Sequence, residues 1–215
     1  MKKILSLVMT LAAVAAVHAQ GTFNSATYTG DPNGTHSSGV IEDYTVINAA
    51  GPTGHGLAFG GAYQAQYYIG AAGISGSAGF GNTIPSGMSP VGSASTSFLG
   101  SSSGDAAGGA GYFDNGTVNT SVAGGSTVSL MLFAWKGSTG TLAASTVNGH
   151  SAIYQFILGG AGSPAGPPTS WSQNLGGGVV EPTLANFGIN TVPEPATITL
   201  ALMGAGALFI RRRKV

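Results

Sequence analysis

Thr127-Val128-Ser129-Leu130-Met131-Leu132-Phe133-Ala134-Trp135-Lys136 is the stretch that decides the fold class. In an extended chain successive side chains point to opposite faces, so Val128, Leu130, Leu132 and Ala134 share one face and Ser129, Met131, Phe133 and Trp135 the other. Both faces are largely apolar, which predicts a central strand covered on each side. Two further segments carry strand signatures. Tyr63 to Ile69 alternates Tyr63, Ala65, Tyr67 and Ile69 against Gln64, Gln66 and Tyr68, and Ala152 to Leu158 is rich in β-branched and aromatic residues. These three are expected to form the core sheet. Weaker strand candidates are Glu42 to Asn48, Val91 to Leu99, Tyr112 to Asn119 and a run about Thr22 to Thr29.

No segment between them holds a helical period of apolar residues, and the connections are rich in Gly, Ser and Pro. Asp114-Asn115-Gly116 and Val147-Asn148-Gly149 read as turns, because Asn-Gly adopts the positive φ that tight hairpins need. About seven short strands with frequent turns predict an all-β protein: one antiparallel β-sandwich-like domain over 20–175 with Gly/Ser-rich loops, followed by a linker over 176–191.

Composition narrows the function. Of the 215 residues 43% are hydrophobic and only 7% charged, against about a quarter charged in an ordinary soluble domain, and Gly 37 fills much of the gap. With Cys 0 there is neither a disulfide framework nor a thiolate for catalysis or metal binding. Six of the seven basic residues, Lys2, Lys3, Arg211, Arg212, Arg213 and Lys214, lie at the chain ends. In the body before Pro193-Glu194-Pro195, Lys136 stands against Asp31, Glu42, Asp43, Asp105, Asp114 and Glu181, one cation against six anions, a net −5. Nucleic acid is not an expected partner, since phosphate neutralisation needs clustered cations on the folded part.

The two ends read as addresses. Lys2-Lys3, an apolar run from Ile4 to Val17, and a small Ala19 before Gln20 form a secretory signal peptide over 1–19, with signal peptidase cleaving at Ala19-Gln20. At the other end Val192-Pro193-Glu194-Pro195 precedes an apolar segment from Ala196 to Ile210 and then Arg211-Arg212-Arg213-Lys214. The prolines keep their stretch extended and open to a peptidase groove. The apolar segment, about 15 residues, spans about 22 Å as a helix, short of the roughly 30 Å hydrocarbon core but able to insert with thinning. The four cations hold the terminus on the cytoplasmic side and leave the body outside.

That sequence of signals over 192–215, with the expected transmembrane helix at 196–210, resembles the PEP-CTERM sorting signal, also known as the ice-binding protein C-terminal domain. The resemblance implies recognition by an exosortase, a membrane cysteine peptidase, processing at or beside Pro193-Glu194-Pro195, and delivery to the cell surface or the exopolysaccharide matrix. It implies nothing about ice, and Thr117 to Thr120 is too short and irregular for an ice-binding array.

Signals for chemistry are thin. Gly100-Ser101-Ser102-Ser103-Gly104 fits the G-x-S-x-G string, but the glycine-rich sequence after it does not begin the helix that a nucleophile elbow requires. His36, His55 and His150 lie far apart without metal-ligand spacing, and Asp31-Pro32-Asn33-Gly34-Thr35 lacks the closing acidic ligand of a calcium loop. No catalytic role, metal or cofactor is expected. Among the aromatic residues that could meet a sugar face, Trp135 reads as core, and Trp171, in a Pro/Ser-rich loop, as the ligand contact. The expected role is that of an exported surface or matrix protein, structural or adhesive; the alternatives are a carbohydrate-binding module, with exopolysaccharide as its partner, and then a secreted hydrolase.

Overall fold

The computed structural model describes residues 20–27, 39–47, 51–100, 109–137, 141–160, 168–171, 173–176 and 179–192. The strands are β1 (Gln20–Asn24), β2 (Ile41–Ile47), β3 (His55–Leu57), β4 (Tyr63–Ala71), β5 (Gly79–Phe80), β6 (Met88–Ser95) and β7 (Thr117–Ala123). They continue with β8 (Thr127–Lys136), β9 (Val147–His150), β10 (Tyr154–Ile157), β11 (Gly159–Gly160), β12 (Asn174–Gly176), β13 (Val179–Val180) and β14 (Phe187–Thr191). The only helical pieces among the described residues are single 3-10 turns at Gly60–Ala62 and Leu142–Ala144.

The decisive stretch is β8 in full. It pairs antiparallel with β4 from Tyr63↔Lys136 to Ala71↔Val128, and on its other side with β9 and β10. The principal sheet runs β3-β2-β14-β9-β8-β4-β6, and a small sheet β11-β1-β7 lies apart from it in hydrogen bonding. The alternation read from sequence holds on both central strands. Val128, Leu130, Leu132 and Ala134 join Tyr63, Ala65, Tyr67 and Ile69 in one buried cluster, which also takes Phe23 from β1 and Val118 from β7. The small sheet thus covers this face of the large one. Met131, Phe133 and Trp135 lie with Tyr68 on the opposite face, covered by Met88, Leu142, Ile74 and Ile153.

Three sequence expectations need correction. The pairing is mixed, because β14 runs parallel to β2 in the register Phe187↔Ile41 to Ile189↔Asp43 while pairing antiparallel with β9. The expected linker over 176–191 therefore ends in an interior strand, with Leu184 and Ile189 fully buried; burying these side chains and filling the gap between β2 and β9 outweighs any tendency to remain a tether. Asn148-Gly149 is not a turn but the middle of β9, with Asn148 1% exposed. Asp114-Asn115-Gly116 does turn: Gly116 adopts φ +69° and its N–H donates to the Asp114 side chain at 2.9 Å.

One buried acid sets a pH response. Glu181, 3% exposed, follows β13 and accepts the Ile157 N–H at 3.0 and 3.2 Å. Burial pushes its carboxyl up to about 7, only partly offset by that backbone donor. The folded protein thus holds this proton more tightly than the unfolded chain. The stability it contributes is full below the ordinary value of 4.5 and is lost as pH rises through 7. Glu181→Gln is expected to match the native chain in denaturant melts near pH 4 and to exceed it by about 1–2 kcal/mol at pH 8; equal midpoints at pH 8 would refute this.

Candidate functional site

Sequence reasoning placed the ligand contact at Trp171, and the structure moves it into the core. Trp171 is 4% exposed, packed edge-on against Phe156 and Tyr154 at ring-centroid distances of 5.0 and 5.3 Å. Its indole N–H donates to the Tyr67 hydroxyl at 3.2 Å, which donates to the Ser25 carbonyl at 2.8 Å. A loop tryptophan finds more apolar area beneath the small sheet than water offers outside, and this relay satisfies its polar atom. No ring face is left for a ligand.

The other tryptophan stands differently. Trp135 is 1% exposed, yet its indole N–H has no hydrogen-bond partner among the described residues. It lines a surface cleft of about 270 Å3 on the face of the principal sheet away from β1 and β7. The sheet side of the cleft is built by Trp135 on β8, Gln66 and Tyr68 on β4 and Ala94 on β6. Asn82 and Ile84 come from the β5–β6 connection, and Thr141, Leu142 and Ala143 from the 3-10 turn after β8. Each position follows from local sequence: the period of two puts Gln66, Tyr68 and Trp135 on one face, and Leu142 is buried against it, holding the turn in place.

The cleft is mostly apolar, with a few neutral polar groups at its wall and rim and no charged residue. Gln66 donates through Nε2 to the Gly92 carbonyl at 3.0 Å, leaving its Oε1 open. Asn82 and Thr141 are exposed, and neither side chain bonds to a described residue. Burial pushes the Tyr68 phenol up, so it remains a neutral hydroxyl. The described carboxylates are engaged elsewhere. Glu42 accepts Thr53 N and Oγ1, each at 3.0 Å; Asp43 accepts Tyr63 and Lys136; Asp114 and Glu181 accept backbone N–H groups. His55 and His150 sit on β3 and β9, with Nδ1 against Thr53 Oγ1 and the Ser151 carbonyl oxygen. No group of three metal-ligating side chains occurs among the described residues. Sequence reasoning missed Gln66, Asn82 and Thr141, although the alternation already put Gln66 and Tyr68 on one face; nothing local announces which loops rise above that face.

At the other end of the body the last strand hands over directly to the terminal address. β14 ends at Thr191, and the Val192 N–H is held by the Thr146 carbonyl at 2.9 Å. The remaining address residues, Pro193, Glu194, Pro195, the apolar helix expected at 196–210 and Arg211, Arg212, Arg213 and Lys214, lie outside the described residues. So do the expected signal peptide at 1–19, including Ala19 of the expected Ala19-Gln20 cleavage site, and Ser102, His36 and Asp31 to Thr35. No helix among the described residues is long and apolar enough to cross a membrane.

An all-β body in antiparallel and mixed sheets, ending on a terminal tag, defines the class: an exported protein that carries its own sorting signal. The tag is the PEP-CTERM protein-sorting motif, which matches residues 191–214. The motif implies export, anchoring through the C-terminus and processing by an exosortase. No curated protein and no solved structure matches the chain.

Proposed function

We propose that this is a non-enzymatic protein of the cell surface or exopolysaccharide matrix, with a structural or adhesive role, built as an antiparallel-dominated β-sandwich between a removable signal peptide and the sorting motif. The carrying observation is the matched motif at 191–214 starting where β14 ends, so that the folded body leads straight into the segment offered for processing. A sparsely charged surface and a described set of carboxylates committed to hydrogen bonds favour a scaffold over a catalyst, and rank a secreted hydrolase last.

Replacing Pro193-Glu194-Pro195 by three alanines tests the reading, since alanine removes the prolines that keep the segment extended and favours continuation of the helix expected at 196–210. Native protein is expected at the surface or in the medium, with its new C-terminus at or beside the motif by mass spectrometry. The alanine variant is expected to stay in the membrane fraction at higher mass. Equal surface delivery and equal mass for both would overturn the assignment. A carbohydrate-binding module is the second reading, favoured by the uncharged aromatic cleft over Trp135.

A further inference from the structure

The adhesive reading leaves open what the protein holds, and the cleft over Trp135 supplies chemistry for an answer. Trp135 is almost completely buried, and its indole N–H is unpartnered among the described residues. That N–H is closed off from the surface while its side chain lines the cleft, so it reports on a ligand seated there. Around it the cleft offers the open carbonyl oxygen of Gln66, the Asn82 amide, and the Tyr68 and Thr141 hydroxyls, beside the apolar surface of Ile84 and Leu142. None of the cleft residues is charged. The nearest cation in sequence, Lys136, bonds Asp43 and lies over the Tyr63 ring, on the opposite face of the sheet.

From this cleft we infer a binding site for a neutral, polyhydroxylated sugar ring, with the buried Trp135 side chain in its wall and Gln66 Oε1 as an acceptor. A sugar presents apolar C–H faces and a rim of hydroxyls that donate and accept at once. That matches aromatic and aliphatic surface beside neutral amides and hydroxyls. Phosphates, sulfates and uronates fit badly, because the cleft provides no cation to replace their hydration. A purely apolar ligand would leave the neutral amides and hydroxyls around the cleft without partners. At about 270 Å3 the cleft lies just below the roughly 300–1,000 Å3 of drug-sized sites and suits one or two rings, such as the end or a short stretch of a glycan.

This inference deepens the adhesive reading and rests on it only for where the glycan is met. Binding is measured on purified protein and delivery on cells, so either can fail alone. The chain contains two tryptophans, which give two indole N–H resonances in a nitrogen-15 correlation spectrum; loss of one signal in Trp135→Phe assigns them. Full-length protein in a zwitterionic, sugar-free detergent is titrated with cellohexaose, mannohexaose and, as the charged arm, trigalacturonate. At least one neutral oligosaccharide is expected to shift the Trp135 resonance while that of Trp171, already bonded to Tyr67, stays still. Trigalacturonate is expected to shift neither. Gln66→Ala should weaken binding about tenfold. Ala143→Phe, at an exposed rim position that leaves the core untouched, should abolish it with the rest of the spectrum unchanged. An unmoved Trp135 resonance with both neutral sugars at about 10 mM, beyond the weak-binding range, would overturn the inference, as would undiminished binding by a folded Ala143→Phe variant or preferential binding of trigalacturonate.

Discussion

Asp43→Ala is expected to destabilise the domain by about 2–4 kcal/mol, read as a shift in denaturant midpoint at neutral pH. The Asp43 side chain is fully buried on β2 and collects four donors. The Tyr63 hydroxyl donates at 2.6 Å, Lys136 Nζ at 2.9 Å, and Thr45 through Oγ1 at 2.5 Å and through its backbone N–H at 2.9 Å. Alanine strands the buried Tyr63 hydroxyl, whereas Lys136, 41% exposed, turns out to water at little cost. Lys136→Met removes one donor and leaves three, so it should cost about 1 kcal/mol. A Lys136→Met loss equal to or larger than that of Asp43→Ala would show that the ion pair, not the Tyr63 bond, dominates. The pH response has the opposite sign to that of Glu181. Burial alone would raise Asp43, but the bonds from Thr45, Tyr63 and Lys136 outweigh it and hold the carboxyl below its ordinary 3.8. Its stabilisation is therefore present above that value and lost as pH falls through the lower folded one.

Gly149→Ala is the second large effect, at about 3 kcal/mol or more, sufficient to leave little folded protein. Gly149 sits in β9, between β8 and β14. A Cβ there would collide with the carbonyl oxygen of Gly188 and stand 3.2 Å from that of Gly79. Every atom it meets is backbone, so no side chain can turn aside, and relief means pulling β9 from β14. Gly61→Ala is the control: its Cβ would meet nothing within 4 Å, and the change should stay within about 0.5 kcal/mol. Comparable midpoints for the two variants would refute the close approach of β9 and β14.

Both sites show the limit of reading along the chain. The glycine at 149 follows an asparagine, and that pair signals a hairpin by local rule; the structure uses it because β14 passes too close for any side chain. Asp43 reads as one acid on an alternating strand, and beyond nearby Thr45 its partners, Tyr63 and Lys136, lie 20 and 93 residues away. Trp171 departs from its expected role for the same reason, whereas Trp135 is buried as its strand predicts. A Pro/Ser-rich neighbourhood says loop, and a doubly apolar strand says core, but neither says which ring finds a hydrogen-bond acceptor.

What the sequence by itself determined is periodic or terminal: the extent of β8, the side-chain faces of β4 and β8, the Asn115-Gly116 turn, and the sorting motif at the C-terminus. Each depends on backbone geometry or charge within a few residues, which local chemistry dictates. Tertiary structure alone decided that β14 threads between β2 and β9, that Trp171 is packed away, and that Gln66, Tyr68 and Trp135 meet loops from two other parts of the chain to enclose a cleft. Those outcomes depend on which distant segments bury one another's apolar surface, and that balance is struck only when the whole chain closes on itself.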